Sequence, residues 1–326
     1  MMQVVLEAPG RFAEREAPVK KTPAGCALVR IKKVGLCGSD YHAFFGRHPI
    51  YTYPRIVGHE LSGIVVEAPA NDRGIQPGDR VAIEPYVFCG VCRACRAGRT
   101  NCCEKIQVLG VHVDGGMQEF LAVPVHLLYK STTLSLDQLA LVETLGIGAH
   151  AVRRSGLQAG EEALVVGAGP IGIAAAQFAL AVGASVHIVE KSEWRREFVS
   201  RMGIACSDSA EDRVADVVFD ATGNAAVMAA SLAHVATGGT LVYVGLTKEP
   251  IPIDDGLFHR KEVTIKASRN SCGLFPQIMK LIDEGKIDTT HWITDRLNLS
   301  EVVGQFQDLT TRKHLIKAMV DIGSTN

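Results

Sequence analysis

Residues Ala163 to Val189 contain no Asp, Glu, Lys or Arg. A run of that length invites a membrane-spanning reading, yet Gly167, Gly169, Pro170 and Gly172 crowd its start and would break such a helix. The segment divides instead into a short apolar strand (Ala163–Val166), a glycine turn and an Ala-rich helix. Strand, G-x-G-x-x-G and helix in that order make a phosphate cradle. The glycines permit a tight turn and close approach of a pyrophosphate, and the helix N-terminus presents N–H groups and positive dipole.

The six-residue pattern is weak by itself, and its surroundings carry the assignment. Val186–Val189 is a second apolar strand, and it ends in Glu190, where a carboxylate would hold ribose hydroxyls. Glu190 should repel a 2′-phosphate, which favours NAD over NADP. Lys191, Arg195 and Arg196 follow and are the alternative, a phosphate-lining set or simply a solvated helix start. Pro170 and Ile171 in the turn, Thr222 in Asp220–Gly223, and Val244, Gly245 and Leu246 complete the expected cofactor-binding residues. They lie at the strand ends where such sheets bind ligands.

The chain has 326 residues, enough for about two domains. Up to about Leu145 it reads as β-rich: Gln3–Glu7, Leu28–Lys33, Leu61–Glu67, Arg80–Glu84 and Glu119–Val123 are separated by Gly and Pro turns. Beyond it, the apolar runs Ala163–Val166, Val186–Glu190, Val217–Asp220, Thr240–Gly245 and Val263–Ala267 alternate with helical patterns, which predicts a parallel sheet. The expected organisation is a catalytic domain over 1–145, a nucleotide-binding domain over 146–286 and a return to the first domain over 287–326, through the run Leu315–Val320.

Lys plus Arg (34) nearly balances Asp plus Glu (35), so no bulk field favours nucleic acid or an anionic membrane. A small neutral or weakly charged ligand suits this balance better. Nine cysteines is an odd number without disulfide-framework spacing. With a start that lacks a signal-peptide layout, this makes the cytoplasm the expected compartment.

Two groups of residues point to metal. Cys89, Cys92, Cys95 and Cys103 have spacing suited to one tetrahedral Cys₄ zinc, in a lobe of about residues 86–104. Cys102 adjoins Cys103, and either could supply the fourth thiolate. Separately, Cys37 in Gly35–His42 and His59 in Gly58–Glu60 are Gly-bounded ligands of the kind a catalytic zinc needs, about three in number with one open position.

In Gly35–Asp40, Gly58–Glu60, Pro77–Val81, the cysteine lobe with Gly98–Cys103, Gly110–Glu119 and Gly167–Gly172, the chain resembles the zinc-containing medium-chain dehydrogenases, within them the polyol, L-threonine and sugar-acid branch. The resemblance covers nearly the whole chain. It implies an α/β protein with a GroES-like catalytic domain, a Rossmann doubly wound parallel sheet and two zinc ions per chain. It also implies hydride transfer between a small-molecule alcohol or ketone and NAD, and a homo-dimer or homo-tetramer.

By the same resemblance Cys37 and His59 are catalytic zinc ligands, Cys103 is favoured for the structural site, and Glu60 and Glu143 are alternative carboxylate ligands. Ser39 would take the substrate proton, and His42 would pass it to solvent through the nicotinamide ribose. Ser39 and Asp40 also fit a helix N-cap. A non-catalytic nucleotide sensor on the same fold is the alternative function, and such a member would be expected to have lost Cys37 or His59. For substrate contacts, Arg47, His48, Tyr53, His112, Arg269 and Asn270 are candidates, each equally readable as a surface residue.

Overall fold

The computed structural model describes residues 1–323. It divides into two compact units, one of Met1–Glu143, Phe275–Glu284 and the chain from Thr289 onward, the other of Thr144–Leu274 and Gly285–Asp288.

The first unit is the GroES-like one. Its main sheet runs in the order Ile293–Asn298, Lys317–Asp321, Cys26–Gly35, Glu60–Glu67, Arg80–Ile83, Leu128–Lys130, with Phe120–Pro124 also paired to Cys26–Gly35. The long Cys26–Gly35 strand is fully buried at Ala27, Val29, Ile31 and Val34. These residues join Leu61, Ile83, Leu127 and Val320 in one core. The helix Val302–Leu309 closes part of it, with the Phe306 ring 4.9 Å from Phe12 and 5.1 Å from Phe44. Truncating such an aromatic costs about 3–5 kcal/mol.

The second unit is a Rossmann sheet. Its strands lie in the order Ala205–Ser207, Ser185–Val189, Glu162–Val166, Ala215–Asp220, Val235–Tyr243, Thr264–Ala267, and every pairing is parallel. Numbered along the unit, this is the doubly wound order 3-2-1-4-5-6, whose strand order reverses beside Glu162–Val166. The apolar run read from the sequence becomes that strand and the helix Pro170–Val182, with Gly169 as N-cap and Pro170 in the first turn.

Two boundaries differ from the sequence expectation. The units part at 143/144, inside the continuous helix Leu136–Ser155, where periodicity gives no break to read. Residues 275–284, assigned by sequence to the nucleotide-binding part, belong to the first unit. Their helix Phe275–Asp283 buries Phe275, Ile278 and Ile282, and the Phe275 ring lies 5.1 Å from Tyr129. An amphipathic helix in a βα alternation looks the same whichever core it covers. Among the described residues no helix is long and apolar enough to cross a membrane, and none of the nine cysteines is in a disulfide.

Candidate metal and nucleotide sites

In the first unit, ligand atoms of Cys37, His59 and Glu60 lie within 4.8 Å of one another. Local structure explains their meeting. Cys37 is the N-cap of the helix Gly38–Phe44, and its N–H donates to Asp40 Oδ2 at 2.9 Å, an acidic residue at N3 closing a capping box. Thus Cys37 is the cap, and Asp40 is the N3 partner that holds it. Glu60 opens the strand Glu60–Glu67, directly after His59, and faces Gly35 at the end of the neighbouring strand.

The His59 ring lies between two polar groups: Nε2 is 3.5 Å from Ser39 Oγ, and Nδ1 faces Asp40 Oδ1 at 3.7 Å. Burial alone would favour the neutral ring, but the Asp40 carboxylate and Cys37 sulfur outweigh it and hold the imidazole well above its ordinary pKa. Burial raises the Asp40 carboxyl. The order sulfur, imidazole, carboxylate, with a second carboxylate behind the imidazole, matches a divalent zinc site and its supporting shell. One further observation supports the fit: Glu60 Oε2 is buried with no hydrogen-bond partner.

Glu143, the other carboxylate candidate, is not in this ligand group. Its Oε1 accepts a short hydrogen bond from Tyr86 Oη, and burial pushes its pKa up. Sequence reasoning passed over one residue of this site altogether. Lys317, 3% exposed, donates from Nζ to Glu60 Oε1 at 2.6 Å. Burial would lower its pKa, but Glu60 outweighs that and raises it. A lone lysine inside the apolar run Leu315–Val320 was the available signal.

The cysteine lobe has tetrathiolate dimensions. Cys89 Sγ is 4.0 Å from Cys95 Sγ and 3.5 Å from Cys103 Sγ, against about 3.8 Å for thiolates at the corners of a tetrahedron with Zn–S bonds of about 2.3 Å. Backbone N–H groups of Cys89 and Lys105 donate to Cys103 Sγ at 3.3 Å, and that of Cys95 to Cys92 Sγ at 3.5 Å. The Cys95 N–H, first among its neighbours, helps push the Cys92 thiol down to about 6. Cys103 is buried within this group, whereas Cys102 is exposed outside it.

In the second unit the glycine turn is built for close backbone approach. A Cβ on Gly172 would sit 1.8 Å from the Gly167 carbonyl oxygen. The carboxylate of Glu190 accepts from Ala168 N at 2.7 Å and from Ser192 N at 2.8 Å. Arg195 approaches it at 4.0 Å, while the Arg196 guanidinium is tied to the carbonyls of Glu190 and Lys191, both at 2.8 Å. Lys191 is exposed. Thr222 caps the buried Asp220 through N and Oγ1, at 2.9 and 2.6 Å. Val244 and Gly245 donate to Asp220 O, and Leu246 is 86% exposed.

Of the remaining candidates, Tyr53, Arg47 and His112 make local contacts. The Tyr53 hydroxyl donates to Ala43 O, the Arg47 guanidinium stacks on Phe45 at 5.1 Å, and His112 Nδ1 accepts from Val108 N. Asn270 has a φ of 52°, the left-handed region that asparagine tolerates.

Residues 23–133 match the sequence profile of the alcohol dehydrogenase GroES-like domain, and residues 170–284 that of the zinc-binding dehydrogenases. The chain is 41% identical to L-galactonate-5-dehydrogenase of Escherichia coli K12 over 324 residues, 95% of each chain. This chain belongs to the zinc-type medium-chain alcohol dehydrogenases. Among solved structures of these dehydrogenases, a putative zinc-binding dehydrogenase from Sinorhizobium meliloti bound to NADP superposes with a TM-score of 0.90 at 28% identity, covering 98% of each chain. A protein described as a short chain alcohol dehydrogenase (rspB), from E. coli CFT073 and complexed with NADH, gives 0.93 at 25% identity, covering 98% of this chain and 99% of that one. As a zinc-type dehydrogenase the chain is an oxidoreductase acting on CH–OH groups of secondary alcohols.

Proposed function

We propose that the chain oxidises a secondary hydroxyl of a sugar acid or polyol, with NAD⁺ as acceptor and a catalytic zinc held by Cys37, His59 and Glu60. A second zinc would be held by Cys89, Cys92, Cys95 and Cys103. The observation that carries this reading is the convergence of ligand atoms from Cys37, His59 and Glu60 within 4.8 Å, with Glu60 keeping Oε2 buried and without a hydrogen-bond partner. The name of the 41% identical relative supports a sugar acid as substrate.

Zinc in that position supplies Lewis acidity that lets a substrate hydroxyl ionise near neutral pH, and NAD⁺ supplies the hydride acceptor. The chain's own residues do the rest. Asp40 fixes Cys37 through the cap and faces the far nitrogen of His59, which keeps Nε2 turned to the ligand set. Ser39 Oγ, beside His59 Nε2, takes up the hydroxyl proton. His42 lies three residues further on the same helix and is exposed, so it can deliver that proton to solvent.

For the cofactor, the Glu190 carboxylate keeps lone pairs for ribose hydroxyls and repels a 2′-phosphate, and Arg196 is engaged by carbonyls. These contacts support NAD over NADP. Reduction of NAD⁺ followed at 340 nm across aldonates, polyols and L-threonine tests the proposal. Turnover with an aldonate or polyol is expected, at higher kcat/KM with NAD⁺ than with NADP⁺. Activity confined to simple primary alcohols would contradict it.

A further inference from the structure

Lys317 and Glu60 are 257 residues apart in sequence and form a buried pair, with side chains 3% and 1% exposed. Three neighbouring strands bring this about. Lys317–Asp321 pairs with Cys26–Gly35 through Met319 opposite Gly35, and Gly35 in turn stands opposite Glu60. Lys317 therefore reaches Glu60 across the end of the middle strand. Its Nζ donates to Glu60 Oε1 at 2.6 Å and to Leu36 O at 3.1 Å. Glu60 Oε2 has no hydrogen-bond partner, and a Cβ on Gly35 would lie 2.1 Å from it. Only a residue without a side chain leaves that oxygen its place.

We propose that Lys317 is a positioning residue that holds Oε1 of Glu60, so that the carboxylate meets the metal through Oε2 alone and remains an exchangeable ligand. The inference rests on the reading of Cys37, His59 and Glu60 as the zinc site. Its logic is electrostatic. One buried carboxylate is shared by two cations, and each weakens the hold of the other. An ammonium is a compact point charge that engages one oxygen and leaves its partner free. Without Lys317 the full carboxylate charge would fall to the metal, which would then be held more tightly and exchange its ligands more slowly.

The experiment is zinc release from the full-length protein into a chromophoric chelator. The phase that Cys37→Ala abolishes is assigned to this site, and the cysteine-lobe phase serves as internal reference. Lys317→Met is expected to slow the Cys37-dependent phase by about fivefold or more. In a Glu60→Gln background the same substitution should change it by less than about twofold, because its effect runs through the carboxylate. Lys317→Arg, which keeps the cation, should stay within about threefold of the unsubstituted protein. If the Met variant does not fold, Lys317→Gln carries the same expectation of slower release.

Release that is unchanged or faster on loss of the Lys317 charge overturns the proposal. So do equal effects in both Glu60 backgrounds, or an Arg variant outside its range. A protein with no Cys37-dependent phase at all contradicts the zinc reading itself, a result distinct from failure of the role given to Lys317.

Discussion

The Glu190 carboxylate accepts the backbone N–H of Ala168 at 2.7 Å, which clamps the end of the strand Ser185–Val189 onto the glycine turn that follows Glu162–Val166. One residue thus shapes the turn and sets the charge where the ribose would lie. Glu190→Ala removes two charge-assisted hydrogen bonds, each worth about 1.5–3 kcal/mol. NADH affinity should fall by about tenfold or more, and discrimination against NADPH should shrink; fluorescence titration with both nucleotides reads both effects.

Gly172→Ala places a methyl group 1.8 Å from the Gly167 carbonyl oxygen. Because the clash is with backbone, the turn itself must move, at a cost of about 1–3 kcal/mol. Thermal denaturation should show a lower midpoint, and NADH titration a weaker complex. An unchanged midpoint would mean the turn has slack that the geometry does not show.

The cysteine lobe is expected to be structural. Cys92→Ser should remove about one zinc per chain and lower the melting temperature. NADH titration should still show binding, since the nucleotide residues belong to the other unit. Loss of nucleotide binding at a temperature where the variant is folded would count against that separation.

His150 provides the pH dependence. Burial, with help from Arg153 and Arg154, pushes its pKa down to about 4 from 6.5. The unfolded chain therefore binds a proton at a pH where the native one does not, and this contribution to stability declines as pH falls from about 6.5 to about 4. After allowance for solvent screening the loss is about 2 kcal/mol. Melting curves between pH 4 and 7 should show a shallower acid-side decline for His150→Gln than for the unsubstituted chain.

What the sequence disclosed follows from how local each signal is. The strand, glycine turn and helix at Ala163–Val182 are fixed by residues adjacent in the chain, as is the thiol spacing of Cys89–Cys103, and the structure has both. Cys37 and His59 could be named because each sits in a short Gly-bounded motif. Lys317 could not, since its meaning depends on antiparallel pairings, Met319 opposite Gly35 and Gly35 opposite Glu60, that bring the start of its strand close to Glu60. For the same reason the sequence left Glu60 and Glu143 as alternatives. Only the fold brings Glu60 into the ligand group and gives Glu143 the Tyr86 hydroxyl as its partner. That the helix Phe275–Asp283 groups with the first unit was not legible, because its apolar stripe does not say which core it covers.

The central claim is that Cys37, His59 and Glu60 hold the metal on which turnover depends. Zinc per chain, measured by plasma mass spectrometry on the unsubstituted protein and on Cys37→Ala, with NAD⁺ reduction assayed on the same samples, addresses it most directly. About two zinc ions should fall to about one, with turnover lost and NADH binding kept. A Cys37→Ala protein that retains both its zinc content and its turnover would contradict it.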